Sequence, residues 1–115
     1  MILPEGNIII SRTDAIGDVI LTLPLAGYLK KISPGSKIIF LGRSYTQSII
    51  ESSVFIDHFL NWDELSGLEN EEIIDRFLIW DPKIIFFVFP NKKIAEIARQ
   101  ANIPHRVGTA HRWFH

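Results

Sequence analysis

The chain has 115 residues, with 12 basic and 13 acidic side chains, a net charge of −1, 47% hydrophobic residues and no cysteine. That length holds one domain at most, and the apolar share is enough to fill a core. The near-neutral balance leaves no electrostatic footprint for nucleic acid or a membrane surface. The lack of cysteine excludes a disulfide framework, a thiol nucleophile and thiolate zinc ligands.

The first predicted strand runs from Asn7 to Ser11, around the β-branched run Ile8, Ile9, Ile10. A polar loop, Ser11 to Gly17, follows it. The spacing then predicts a helix from Asp18 to Lys31, with Ile20, Leu21, Leu25 and Leu29 on one face and Lys30 and Lys31 at its carboxyl end. Pro34 and Gly35 mark a turn before a second strand, Lys37 to Leu41. A short helix is expected over Tyr45 to Ser52, and a third strand over His58 to Trp62. Glu69 to Ile79 reads as a helix with an acidic first turn, ended by Asp81 and Pro82. Lys83 to Phe89 reads as a fourth strand. Asn91 to Ala101 is a last helix with Asn91 as its N-cap, and His105 to Gly108 opens a fifth strand.

The strands are continuous in Ile, Phe, Val and Leu rather than alternating, as strands covered on both faces are. Strands alternating with helices predict an α/β fold, a doubly wound parallel sheet of Rossmann-like type. No run approaches the ~20 apolar residues of a spanning helix. Met1 to Asn7 lacks the basic start and apolar centre of a signal peptide, so a cytoplasmic protein is the expectation. Arg112, Trp113, Phe114 and His115 read as the middle of an element, which points to a chain cut from a longer enzyme.

Open α/β sheets bind ligands at the carboxyl ends of their strands, so the loop after the first strand is the first place to look for chemistry. It offers Arg12, Asp14 and Asp18, together with Gly17, which lets a ligand approach the backbone. It lacks the three glycines of a dinucleotide fingerprint and the Gly-Lys-Ser/Thr of a phosphate loop. The acidic pair is not that of a receiver domain, because the third strand ends in Asn61 and Trp62 rather than aspartate. Asp18 suits either a first-turn carboxylate that interacts with backbone N–H groups or a general base. Asp14 suits an Asx turn, and Arg12 either a solvated charge or an anchor for an anionic substrate. The histidines show no metal-ligand spacing beyond His111 and His115, four residues apart with no third ligand, so no metal is expected.

The run Arg12 to Pro24, RTDAIGDVILTLP, resembles the opening motif of the ADP-heptose-dependent lipopolysaccharide heptosyltransferases, a family of GT-B glycosyltransferases. A second match lies in Phe89-Pro90-Asn91, the following Lys92 and Lys93, and Ile103-Pro104-His105-Arg106-Val107-Gly108. The two keep their order and spacing across nearly the whole chain. The resemblance implies a two-domain enzyme whose N-terminal half, spanning residues 1–115 here, binds the lipopolysaccharide core acceptor. A C-terminal half, missing from this sequence, would bind the ADP-sugar donor, and no cofactor is needed. The reaction implied is inverting transfer without a covalent intermediate, with Asp18 as general base. Some members have a small polar residue where this chain has Arg12.

Such acceptors are anionic, so a local cationic cluster is expected from Arg12, Arg43, Lys92, Lys93, His105, Arg106 and Arg112. Arg12, Arg43, Asn91 and Lys93 each follow a predicted strand and are the expected substrate contacts, with Asp14 and Gly17. The family's acceptor is lipid-borne, which implies at most peripheral contact with the cytoplasmic face of the inner membrane. An isolated acceptor half would be inactive. The alternative is a non-catalytic α/β sugar- or partner-binding module on the same scaffold.

Overall fold

The computed structural model describes residues 5–14 and 16–108. Five strands, β1 (Asn7–Ser11), β2 (Ile38–Gly42), β3 (His58–Asn61), β4 (Pro82–Phe87) and β5 (His105–Gly108), form one parallel sheet in the order β3-β2-β1-β4-β5. The strand order reverses between β1 and β4, the switch point of a doubly wound sheet. Ile9 lies opposite Ile39 on one side and Ile85 on the other, and the β1–β4 register shifts once, between Asn7 and Ile8.

Side-chain alternation along β1 explains why the strand is apolar throughout. Ile8 and Ile10 enter a core with Val19, Ala26 and Leu29 of helix α1 (Ile16–Ile32) and Ile50 of α2 (Gln47–Glu51). Ile9 points the other way. It packs in a second core with Trp62 and Leu65 of α3 (Trp62–Leu65), Ile73 and Phe77 of α4 (Asn70–Leu78), and Ile94 and Ile97 of α5 (Lys92–Gln100). Both faces of β1 and β2 are covered, so no position in Ile8–Ser11 or Ile38–Gly42 alternates with water, whereas the edge strands β3 and β5 are only partly covered.

The elements differ from the sequence reading in several bounds, β4 ending at Phe87 rather than Phe89, and on the face of α1, where Ile20 and Leu21 are exposed and Val19, Ala26 and Leu29 are buried. Helix α1 starts at Ile16 and so takes in Gly17, which the reading leaves in the loop. Its interior Pro24, which leaves the carbonyl one turn earlier without a helical donor, lies on the exposed side of the helix. Trp62 is the first residue of α3 rather than the end of β3. The Asn61 side chain accepts from the backbone N–H groups of Asp63 and Glu64 and turns the chain into a helix. Residues Ser44–Thr46 form a 3-10 turn ahead of α2.

Asp57 ties this half of the sheet together. Its Oδ2 accepts from the Ile38 backbone N–H and from Lys30 Nζ of α1, both at 2.7 Å, while its own N–H donates to the Ile38 carbonyl. Burial pushes the Asp57 carboxyl up, but the bonds from Lys30 and Ile38, with the charges of Lys30 and His58, outweigh it and leave its pKa below the ordinary value.

Candidate functional site

The loops at the carboxyl ends of β1, β2 and β3 lie side by side because those strands are neighbours. At the centre, Arg12 leaves β1 with its N–H bonded to the Leu41 carbonyl, and its guanidinium turns onto the following loop. There Arg12 Nη2 donates to Asp14 Oδ2 at 3.2 Å, and Nε lies 3.0 Å from Oδ1, at ion-pair distance but off hydrogen-bond alignment. Both side chains are mostly buried, 18% and 16% exposed. The same guanidinium stands 3.6 Å from Asp18 Oδ1, and the Asp18 side chain is 48% exposed.

Asp18 lies in the first turn of α1, and its carbonyl accepts from the Thr22 hydroxyl one turn on. Among the described residues, no hydrogen-bond donor is aligned on its carboxylate; its charged neighbour is Arg12. Gly17, one residue earlier, would meet nothing within 4 Å if it carried a Cβ, so packing does not require glycine there. Arg12, Asp14, Gly17 and Asp18 are therefore brought together, with Asp18 and Gly17 facing outward.

The expected contacts on the neighbouring loops are held by the protein itself. Arg43 Nε donates to Asp63 Oδ1 at 2.6 Å, and the Ser44 N–H donates to Asp63 Oδ2 at 2.7 Å. These bonds hold the Asp63 carboxyl below its ordinary pKa, the Ser44 backbone bond first; slight burial opposes them and Arg43 adds to them. The Asn91 side chain accepts from the Ile94 N–H, the N-cap role that the sequence predicts. Lys93 Nζ donates to the Ser66 carbonyl at 2.7 Å and ties α5 to the end of α3. Arg106 donates to the Ile103 carbonyl, while Lys92 and His105 are exposed. His111, Arg112, Trp113, Phe114 and His115 lie outside the described residues.

Two participants escape the sequence reading. Tyr45 donates its hydroxyl to the Asp14 carbonyl and so joins the β2 loop to the β1 loop. Asp63 fixes Arg43. Their only sequence signal was position, Tyr45 three residues past β2 and Asp63 two past β3. Between β1 and β4 at the switch point, the buried Ser11 hydroxyl finds no hydrogen-bond partner among the described residues. Among those residues no group of three or more His, Asp or Glu is placed to hold a metal, and no helix is long and apolar enough to cross a membrane.

No family model matches the sequence, and no curated protein matches it. Solved structures do match. A glycosyl transferase of family 9 from Veillonella parvula superposes with a TM-score of 0.76 at 24% identity, over 92% of this chain and 32% of that one. ADP-heptose lipopolysaccharide heptosyltransferase II of E. coli superposes with a TM-score of 0.75 at 16% identity, over 89% of this chain and 30% of the other. The chain thus spans about a third of the length of the solved structures it matches. Its fold is a Rossmann-like, all-parallel α/β sheet that matches part of a GT-B glycosyltransferase.

Proposed function

We propose that residues 1–115 are the acceptor-binding domain of an inverting heptosyltransferase-like enzyme in which Asp18 is the general base. The observation that supports this most is the state of Asp18. It is a half-exposed carboxylate at the carboxyl end of the central strand, with no aligned donor among the described residues, in a fold shared with family 9 glycosyltransferases. A carboxylate already committed to backbone donors would have to give them up before accepting a proton; this one does not.

In the step proposed, an acceptor hydroxyl of the lipopolysaccharide core places its proton within reach of an Asp18 carboxylate oxygen. The hydroxyl oxygen forms the new bond to the anomeric carbon as its proton passes to Asp18. The bond from that carbon to the diphosphate breaks, and the electron pair leaves with ADP. The donor and the groups that stabilise its diphosphate belong to a second domain in this reading, so the 115-residue chain alone does not turn over. Gly17 leaves the approach to Asp18 open, and the Arg12–Asp14 pair forms its floor. Arg43, Asn91 and Lys93 form the rim and contact the anionic acceptor by exchanging their present partners. The reading places the enzyme in the cytoplasm, with peripheral contact at the inner membrane where its acceptor resides.

Replacing Asp18 by Asn in the two-domain parent keeps the shape and removes the base, so transfer should fall by about a hundredfold or more with folding intact. A variant that transfers at nearly the wild-type rate refutes the role given to Asp18. The binding-module alternative rests on how fully Arg43, Asn91 and Lys93 are engaged within the chain, and it predicts no transfer by the wild-type parent either.

A further inference from the structure

We propose that Tyr45 is a stacking platform for a pyranoside ring of the acceptor, an inference that rests on the acceptor-domain reading and gives that site a residue not yet assigned to it. A tyrosine on a surface loop ordinarily swings through several rotamers. This one is fixed at both ends. Its backbone sits in the 3-10 turn Ser44–Thr46, closed by the Thr46 N–H and hydroxyl on the Arg43 carbonyl at 3.0 and 2.8 Å and tethered by Ser44 to Asp63. Its hydroxyl donates to the Asp14 carbonyl in the β1 loop. Even so, Tyr45 is 53% exposed.

A bridge between two loops needs only the hydroxyl; leaving half of an aromatic residue in water gains the fold little burial. The surroundings give the ring a partner chemistry. Asp18, half-exposed in the first turn of α1 just past the loop that the phenol reaches, can accept from a pair of sugar hydroxyls. The Arg43 guanidinium, fixed by Asp63, lies over one face of the ring, 6.0 Å from its centroid, so the sugar would take the opposite face with the Arg43 donors at the ring's edge. A pyranoside matches both parts. Its axial C–H face is apolar and weakly positive, suited to the electron-rich face of the ring, while its rim hydroxyls reach the Asp18 carboxylate and the Arg43 guanidinium.

The test is a chemical-shift titration of the 115-residue chain with deacylated lipopolysaccharide core oligosaccharide as the probe. Wild type should titrate, and Tyr45→Phe, which keeps the ring, should bind within about twofold of it. Tyr45→Ala should weaken binding about fivefold to tenfold, the loss of one aromatic contact of about 1 to 1.4 kcal/mol. Unchanged spectra outside the loop confirm that each variant is folded. Three results each overturn the proposal: no titration of wild type, Tyr45→Ala binding as wild type does, or Tyr45→Phe failing as badly as Tyr45→Ala. The last would assign the effect to the hydroxyl brace instead of the ring. Binding precedes proton transfer, so failure of Asp18 as a base would leave a positive result here standing.

Discussion

Gly17 separates what the fold needs from what the proposed site needs. It is the second residue of α1, its backbone φ lies outside the left-handed region, and a Cβ built there has open space for 4 Å around. Nothing in the packing therefore opposes alanine. Gly17→Ala removes the extra backbone freedom that glycine brings to the unfolded chain, a gain of about 0.4 to 1 kcal/mol at a compatible position. The first helical turn carries less of the propensity than the interior, which puts the expected gain near the lower figure, about 0.5 kcal/mol. For a domain of this size that is a rise in Tm of about 2 °C. Urea denaturation of the 115-residue chain followed by circular dichroism would measure it, with the slope unchanged and the midpoint raised. The acceptor site should respond in the opposite sense, because the added methyl stands in the open approach beside Asp18, and acceptor KM in the two-domain parent should rise. A variant destabilised by more than about 0.5 kcal/mol would refute the structural half of the argument, since it would mean that Gly17 is in a conformation alanine cannot take. A stabilised variant with unchanged acceptor kinetics would refute the functional half.

Two further expectations concern the frame that holds the site. Asp57→Ala removes a charged acceptor from the Ile38 N–H and a partner from Lys30, and should cost about 1 to 2 kcal/mol, taken at the low end because the side chain is 32% exposed. The Asp57 carboxyl is depressed in the folded chain, so its contribution is complete above the ordinary value of 3.8 and is lost as pH falls through the lower folded value. The difference between wild type and Asp57→Ala should therefore shrink as pH falls through that lower folded value, and a difference that stays constant throughout the acid titration would refute the assignment. Ser11→Ala should stabilise the chain by about 1 kcal/mol, because the buried hydroxyl it deletes has no partner among the described residues. A loss of stability in thermal unfolding would show that the hydroxyl is satisfied after all.

The centre of the sheet was legible because parallel strands buried on both faces must be apolar, as β1 and β2 are, and β1 falls where the sequence places it. Strand β5 is polar and half-exposed at the edge, and its bounds also fall where the sequence places them. Helix α3 was not, since Trp62 continues the apolar run of β3 and only the capping reach of Asn61 over Asp63 and Glu64 decides the boundary. The site divides along the same line. Arg12, Asp14 and Asp18 lie within seven residues, so a single loop and one helical turn suffice to bring them together, and local sequence shows it. The contacts of Tyr45 with Asp14 and of Arg43 with Asp63 span 31 and 20 residues and exist only because β3, β2 and β1 are adjacent in that order. Strand order is a property of the whole fold, and no local pattern encodes which side of β1 receives β2.

That distinction bears on the residues proposed for the rim. Position after a strand picks out Arg43, Asn91 and Lys93 correctly as residues of the carboxyl edge, but it carries no information on what else has reached them first. In the folded chain each has a partner: a carboxylate, the Ile94 N–H and a carbonyl respectively. Of these, the Lys93 bond to a neutral carbonyl gives way most readily to an anionic ligand, whereas Arg43 must leave a carboxylate that already neutralises it. Affinity for an anionic acceptor should therefore depend on Lys93 more than on Arg43, whose pair with Asp63 also holds the turn that carries Tyr45.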